Sequence, residues 1–230
     1  MTGTSLHVLY AAIAFLGIHL VSSTGLRAAL IARLGENGWR ALFSVASVAT
    51  LGWLILAYGR APYEPIWPPA GWARLIPLLV MPFAFVLFVA SLTTPNPTTA
   101  GMERTIEARD PVKGIVTITR HPMLWAFALW ALAHLVNKGD RASIVFFGAL
   151  ACLSLFGQVL IDRKKERQLG AAWGPFALRS SAIPFVAALQ GRTRIDWRGI
   201  GWWRPALGLV LYAGFLFGHQ AILGKSPWPL

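Results

Sequence analysis

The chain is poor in acid, nearly free of cysteine, and has no polar stretch long enough for a soluble domain. Each shortage excludes something. Nine Asp and Glu stand against 21 Lys and Arg in 230 residues, and none of the acids falls inside a long apolar run, so no carboxylate pair is placed for acid–base hydrolysis or phosphoryl transfer. One cysteine, Cys152, excludes an internal disulfide; it is expected to be a small buried hydrophobe in the fifth helix. There is no glycine-rich nucleotide loop and no Ser/His/Asp arrangement. The first 26 residues hold no charged residue at all, and five more such stretches follow: Ala41–Gly59, Leu75–Met102, His121–Asn137, Ala142–Ile161 and Pro205–Gly224.

About 20 apolar residues cross a bilayer core as a helix, and the runs are continuously apolar rather than alternating, which excludes a barrel. The reading is therefore an all-α, polytopic membrane protein: residues 1–230 as a single domain with six transmembrane helices and an interfacial segment before the fourth. Helix boundaries are expected at Leu6–Leu26, Arg40–Gly59, Leu75–Leu92, from His121, through Ala142–Ile161 with an extension past the bilayer, and at Pro205–Gly224. The first helix has no basic stretch before it and no small-residue cleavage site, so it reads as retained. A proline-rich stretch, 61–70, is expected as an extended loop. The mixed segment 101–120 predicts an interfacial helix ending before Pro111, and the apolar but short 180–189 predicts an interfacial or re-entrant piece.

A net charge of +12 invites a nucleic-acid reading, but its placement argues against one. Sixteen of the basic residues fall in the segments after the first, third and fifth helices, and five at the other ends. That asymmetry orients a multi-pass protein with both termini outside the cytoplasm. The partners it implies are the lipid bilayer and its anionic headgroups, not nucleic acid. Of the eleven Trp, seven lie at or beyond the helix ends, where such rings prefer the headgroup layer: Trp39, Trp67, Trp72, Trp173, Trp202, Trp203 and Trp228.

The ionisable residues within or at the edges of the spans are histidines: His7, His19, His121, His134 and His219. Intramembrane ionisable groups are costly and point to function. His7 and His219 sit where water reaches them. His19, among Gly17, Ser22, Ser23 and Gly25, and His134, after Ala131 and Ala133, have small neighbours that let a flat ligand approach. Two imidazoles on different helices with apolar walls are what a b-type haem needs.

The run from Gly114 through Arg120-His121-Pro122 to His134 and Asp140 resembles the NnrU family of bacterial membrane proteins, as do Gly17-x-His19 through Arg27 and Thr94-Pro-Asn-Pro-Thr98. That family is linked to nitrite and nitric oxide metabolism in denitrifying bacteria. It is in turn similar to the 15-cis-zeta-carotene isomerases of plants, where two histidines hold a haem b. The resemblance implies metal ligation by His19 and His134, and an apolar or gaseous small molecule as the species acted on. Helical rise puts His19 about 20 Å and His134 about 5 Å below the same edge, so His121 is kept as the substitute ligand.

Arg120-His121-Pro122, with Asp162, Trp173 and Pro184, is also similar to the membrane methyltransferases of isoprenylcysteine. There a histidine, an acidic residue and a basic loop bind S-adenosylmethionine. On that resemblance Arg120 and His121 are candidate cofactor-binding residues, and the alternatives to a haem protein are such an enzyme or an accessory protein without catalysis.

Overall fold

A computed structural model describes residues 3–68 and 70–228, so Pro69 of the proline-rich stretch lies outside the described residues. Nine α-helices form among them: α1 (Ser5–Val21), α2 (Gly25–Gly59), α3 (Leu75–Thr93), α4 (Pro122–Lys138), α5 (Arg141–Leu169), and α6 (Trp173–Arg179). Two single turns, α7 (Val186–Leu189) and α8 (Trp197–Ile200), then lead into α9 (Trp203–Leu223). No β-strand forms among the described residues; one isolated bridge joins Pro65 to Asp140. The all-helical expectation holds.

Four helical stretches are long and apolar enough to cross a membrane: Gly25–Gly59, Gly71–Thr93, Arg141–Arg179 and Trp203–Leu223. Helices α1 and α4 have 17 residues each, short of that measure. The sequence expectation of six spans is thus met outright by four.

The long helices pack in a row: α2 on α1, α1 on α5, α5 on α4, α4 on α3, and α3 on α9. Small residues make the close approaches possible, as membrane packing requires. A Cβ added to Gly208 of α9 would come within 2.8 Å of the Val86 backbone of α3. The main core lies where α1, α2, α4 and α5 meet, around Val8, Phe15, Leu54, Ala131 and Phe147.

Polar clasps close both ends. At one end the Pro-rich loop docks on the α4–α5 turn: Ile66 and Trp67 N–H donate to the Gly139 carbonyl and Arg141 N–H to that of Glu64, while Ser5 Oγ donates to the Glu64 carboxylate. Gly139 takes φ 66°, and a Cβ there would sit 2.5 Å from the Trp67 carbonyl, so the turn needs glycine. Asp140 caps α5 through Ser143 N–H and the Ser143 hydroxyl, which also meets Tyr58 of α2. The described residues of 61–70 form no helix, as the prolines there demand.

Several expectations are corrected. The first helix stops at Val21, not Leu26, because the Ser22 and Thr24 hydroxyls turn back onto the carbonyls of His19 and Val21. The second begins at Gly25, not Arg40, since the Leu, Ala and Arg of 26–34 are strong helix formers; the helix is interrupted at Gly35 (φ 72°, ψ 167°). The interfacial helix of 101–120 is absent. Left-handed Gly101 and Gly114 and the ring of Pro111 limit that segment to two short 3-10 turns, Glu103–Glu107 and Gly114–Thr117. Segment 180–189 forms only the single turn α7, tied by hydrogen bonds to the stretch before α4. Cys152 is exposed on an outer apolar face of α5 rather than buried; a thiol is compatible with lipid. Trp39 and Trp173, expected in the headgroup layer, are buried.

Candidate functional site

Arg120 and His121 mark the entry to α4, and folding brings three distant segments onto them. The Arg120 carbonyl accepts from Asn96 Nδ2 (2.9 Å) and Thr98 Oγ1 (2.8 Å), while Asn96 Oδ1 accepts from Thr98 N–H. The Thr94–Thr98 run therefore caps the distant Arg120 rather than a helix that follows it. Arg120 N–H donates to the Ser181 carbonyl, the Thr119 hydroxyl and Trp125 Nε1 both donate to that of Ala182, and Phe185 N–H donates to Ile118. Phe185 sits at φ 67°, a cost for a non-glycine residue that this network overrides.

The side chains converge on Asp162, at the point where α5 leaves its apolar run. Arg120 Nε reaches both carboxylate oxygens at 3.0 Å, its Nη2 reaches Oδ2 at 2.6 Å, and Nη1 donates to Ser180 Oγ at 3.4 Å. His121, 3% exposed, points Nε2 at Asp162 Oδ1 across 2.8 Å. An ionised carboxylate only accepts, so Nε2 carries the proton. The Arg120 guanidinium lies 5.7 Å above the buried Trp173 ring. Arg120 and His121 spend these donors on Asp162, so the cluster is a lock between α4, α5 and the 180–187 segment before it is a ligand site. Charge-assisted bonds of this kind hold about twice as strongly as neutral ones.

Beside this lock, Asp196 binds the N–H groups of Gly114 (2.9 Å) and Gly199 (2.8 Å). Those two backbone donors favour the ionised form and hold its carboxyl below the usual carboxylate range.

His19 and His134 share a local geometry. Each Nδ1 lies 2.8 Å from the carbonyl four residues earlier in its own helix, Phe15 for His19 and Trp130 for His134. A carbonyl only accepts, so Nδ1 carries the proton and a neutral ring keeps its lone pair on Nε2. Ligating histidines are commonly oriented in this way. The structure does not bring the two rings together. His19 faces α2, its ring 5.5 Å from that of Phe43, whereas His134 stacks on Phe147 of α5 at 5.4 Å. The start of α1 and the α4–α5 turn meet at Glu64. Counting rise from that common end puts His19 about 21 Å and His134 about 8 Å along the bundle, roughly 13 Å apart. Axial nitrogens across one iron lie about 4 Å apart, so these residues do not fit one haem held by both within this arrangement. His121 is turned away from either, onto Asp162. Among the described residues no group of three or more His, Cys, Asp or Glu is placed to hold a metal ion.

Sequence reasoning missed one buried polar group. Gln158, one helical turn before Asp162, is 4% exposed and its Nε2 has no partner among the described residues. Its position among apolar residues gave no sign of which side of α5 would be enclosed. Of the remaining histidines, His7 Nε2 accepts from Trp53 Nε1 at 2.7 Å while its Nδ1 is buried without a partner among the described residues, and His219 Nδ1 donates to the Lys225 carbonyl.

The chain is similar to the chloroplastic 15-cis-zeta-carotene isomerases of Zea mays (30% identical over 121 residues) and Arabidopsis thaliana (34% over 116 residues). The matched stretches take in 50% and 49% of this chain but only 33% and 32% of those proteins. No solved structure matches. The model of the NnrU protein family matches residues 7–227, nearly the whole length, and the chain belongs to that family.

Proposed function

We propose that this is a six-span membrane protein with an isomerase-like role on an apolar substrate taken from the bilayer. The observation that carries the chemistry is the pair of imidazoles, His19 and His134, set in apolar helix interfaces with Nδ1 tied down and Nε2 left free. The similarity to zeta-carotene isomerases over half of the chain supplies the reaction class. Helices α1 and α4 complete the six spans: each runs beside α5 between the two polar ends, and shorter helices span when their ends snorkel. The basic loops orient it in a bacterial inner membrane with both termini outside the cytoplasm.

A b-type haem is the cofactor proposed. Either His19 or His134 would hold the haem singly, through the Nε2 atom that has no hydrogen-bond partner among the described residues. They do not suit a two-histidine sandwich within this chain, so no reaction step is derived through the haem. A haem held by one of these histidines would also supply a site for nitric oxide, the chemistry that the resemblance to denitrification-linked proteins implies.

The experiment is an absorption spectrum and pyridine haemochrome assay of protein expressed with ample haem, followed by exposure of the reduced protein to a cis-polyene and, separately, to NO. Conversion of the polyene in the ferrous state supports the isomerase-like role. An NO-dependent spectral shift without isomerisation moves the assignment to nitrogen-oxide handling. Absence of a Soret band, even after reconstitution, removes the haem.

A further inference from the structure

A cleft of about 190 Å³ opens between the α1–α2 turn and the far end of α5, lined by Ser22, Ser23, Thr24, Arg27, Lys164 and Arg167 among others. Its walls carry three cations and no carboxylate. It also contains the start of α2, whose first N–H groups receive no side-chain cap from Thr24. The Ser22 and Thr24 hydroxyl protons are spent on His19 and Val21, so the donors left for a ligand are those of the cations, the Ser23 hydroxyl and the backbone. Arg27 is 81% withdrawn from solvent (19% exposed), and its Nε is buried without an acceptor among the described residues, although one Nη donates to Glu36 at 3.0 Å.

The opposing charges are already engaged. Glu36 pairs with Arg27 and Arg40, and Glu103 pairs with Lys165 at 2.8 Å. Lys164 therefore stands among Arg27, Lys165 and Arg167 with no acid of its own. Like charges gathered around one half-open cleft, beside the positive end of a 35-residue helix, favour an anion with several acceptor oxygens.

We propose that this cleft binds a phosphate-type oxyanion through Arg27, Lys164, Arg167 and the α2 N-terminus. Leu20 and Leu26, 52% and 54% exposed and next in the chain to the turn, supply an apolar flank of the sort that acyl chains cover. A lipid headgroup phosphate and a free phosphate present the same group to the cleft.

The test uses the purified full-length protein in detergent, with phosphatidylglycerol, phosphatidylcholine and inorganic phosphate as separate probes. Occupancy is read by native mass spectrometry and by the shift in melting temperature. Phosphatidylglycerol is expected to be retained by the wild type, and retention is expected to fall at least about tenfold in Lys164→Gln/Arg167→Gln, which lacks two charge-assisted donors. Arg194→Gln/Arg198→Gln removes the same charge from exposed positions at and just before α8, outside the cleft, and is expected to leave retention unchanged. If the first double variant fails to fold, Arg167→Gln alone, at an exposed side chain, gives the same comparison. Displacement of the lipid by inorganic phosphate, with stabilisation by phosphate itself, identifies a free oxyanion as the ligand; retention of lipid in excess phosphate identifies the headgroup. An equal fall in the control variant, or no response to either anion, overturns the proposal.

Discussion

His121 Nε2 and Asp162 Oδ1 lie 2.8 Å apart, and the same carboxylate takes Arg120 through three further contacts. Residues 41 and 42 positions apart thereby fix where α4 starts relative to α5. Ser180 and the Ala182 carbonyl extend the lock to the segment that covers it.

Removing one partner from that lock is expected to be costly. Asp162→Ala leaves Arg120, whose side chain is 14% exposed, without its counter-charge. Stability should fall by about 3 kcal/mol, the low end for a buried pair because the carboxylate is itself 20% exposed. Arg120→Met/Asp162→Leu should recover much of the loss. Thermal unfolding in detergent measures both, and an Asp162→Ala protein that melts with the wild type would refute the lock.

Asp196 sets an acid limit on the neighbouring loop. Its folded carboxyl titrates below the unfolded value near 3.9. The stability it contributes is thus present above about pH 4 and is lost as pH falls through the depressed folded value. Hydrogen exchange at the Gly114 and Gly199 amides should accelerate over that range in excess of the ordinary pH dependence, and Asp196→Asn should abolish the excess. Equal behaviour of the two proteins counts against the assignment.

The separation of His19 from His134 makes their substitutions unequal. If the protein carries one haem, His19→Ala or His134→Ala, but not both, should remove it or change its spin state. Matching six-coordinate to five-coordinate conversions in both variants would mean that α1 and α4 close around the haem in another arrangement.

Gly208 lets α9 touch α3. Gly208→Val should force the helices apart and cost about 1–3 kcal/mol. Loss of protection at Tyr212, whose hydroxyl donates to the Leu78 carbonyl at 3.0 Å, would report the separation; an unchanged melting temperature would contradict it.

The two polar ends should face opposite sides of the membrane. Single cysteines at 179 and 64, placed in a Cys152→Ala background because Cys152 is exposed, should label from the inside and the outside respectively. Labelling of position 179 from outside intact cells would reverse the proposed orientation.

The sequence by itself determined that long apolar helices dominate, because bilayer thickness sets a minimum run length and most runs are bounded by charge, proline or glycine; the α1–α2 boundary, set at Val21 and Gly25 by hydroxyl–carbonyl bonds in the turn, was not legible that way. The start of α4 at Pro122 and the extended proline-rich loop were legible for the same local reason. The family motifs also named Arg120, His121 and Asp162 before any contact between them was known. Which residues meet was decided by tertiary structure. A helix that is apolar all round carries no stripe to say which neighbour it will face, so the burial of Gln158, the exposure of Cys152 and the turning of His19 toward Phe43 were invisible. The capping of Arg120 by Asn96 and Thr98, and its convergence with His121 on Asp162, join segments separated by entire helices. Such hydrogen bonds depend on the packing order of α3, α4 and α5, which no local pattern encodes.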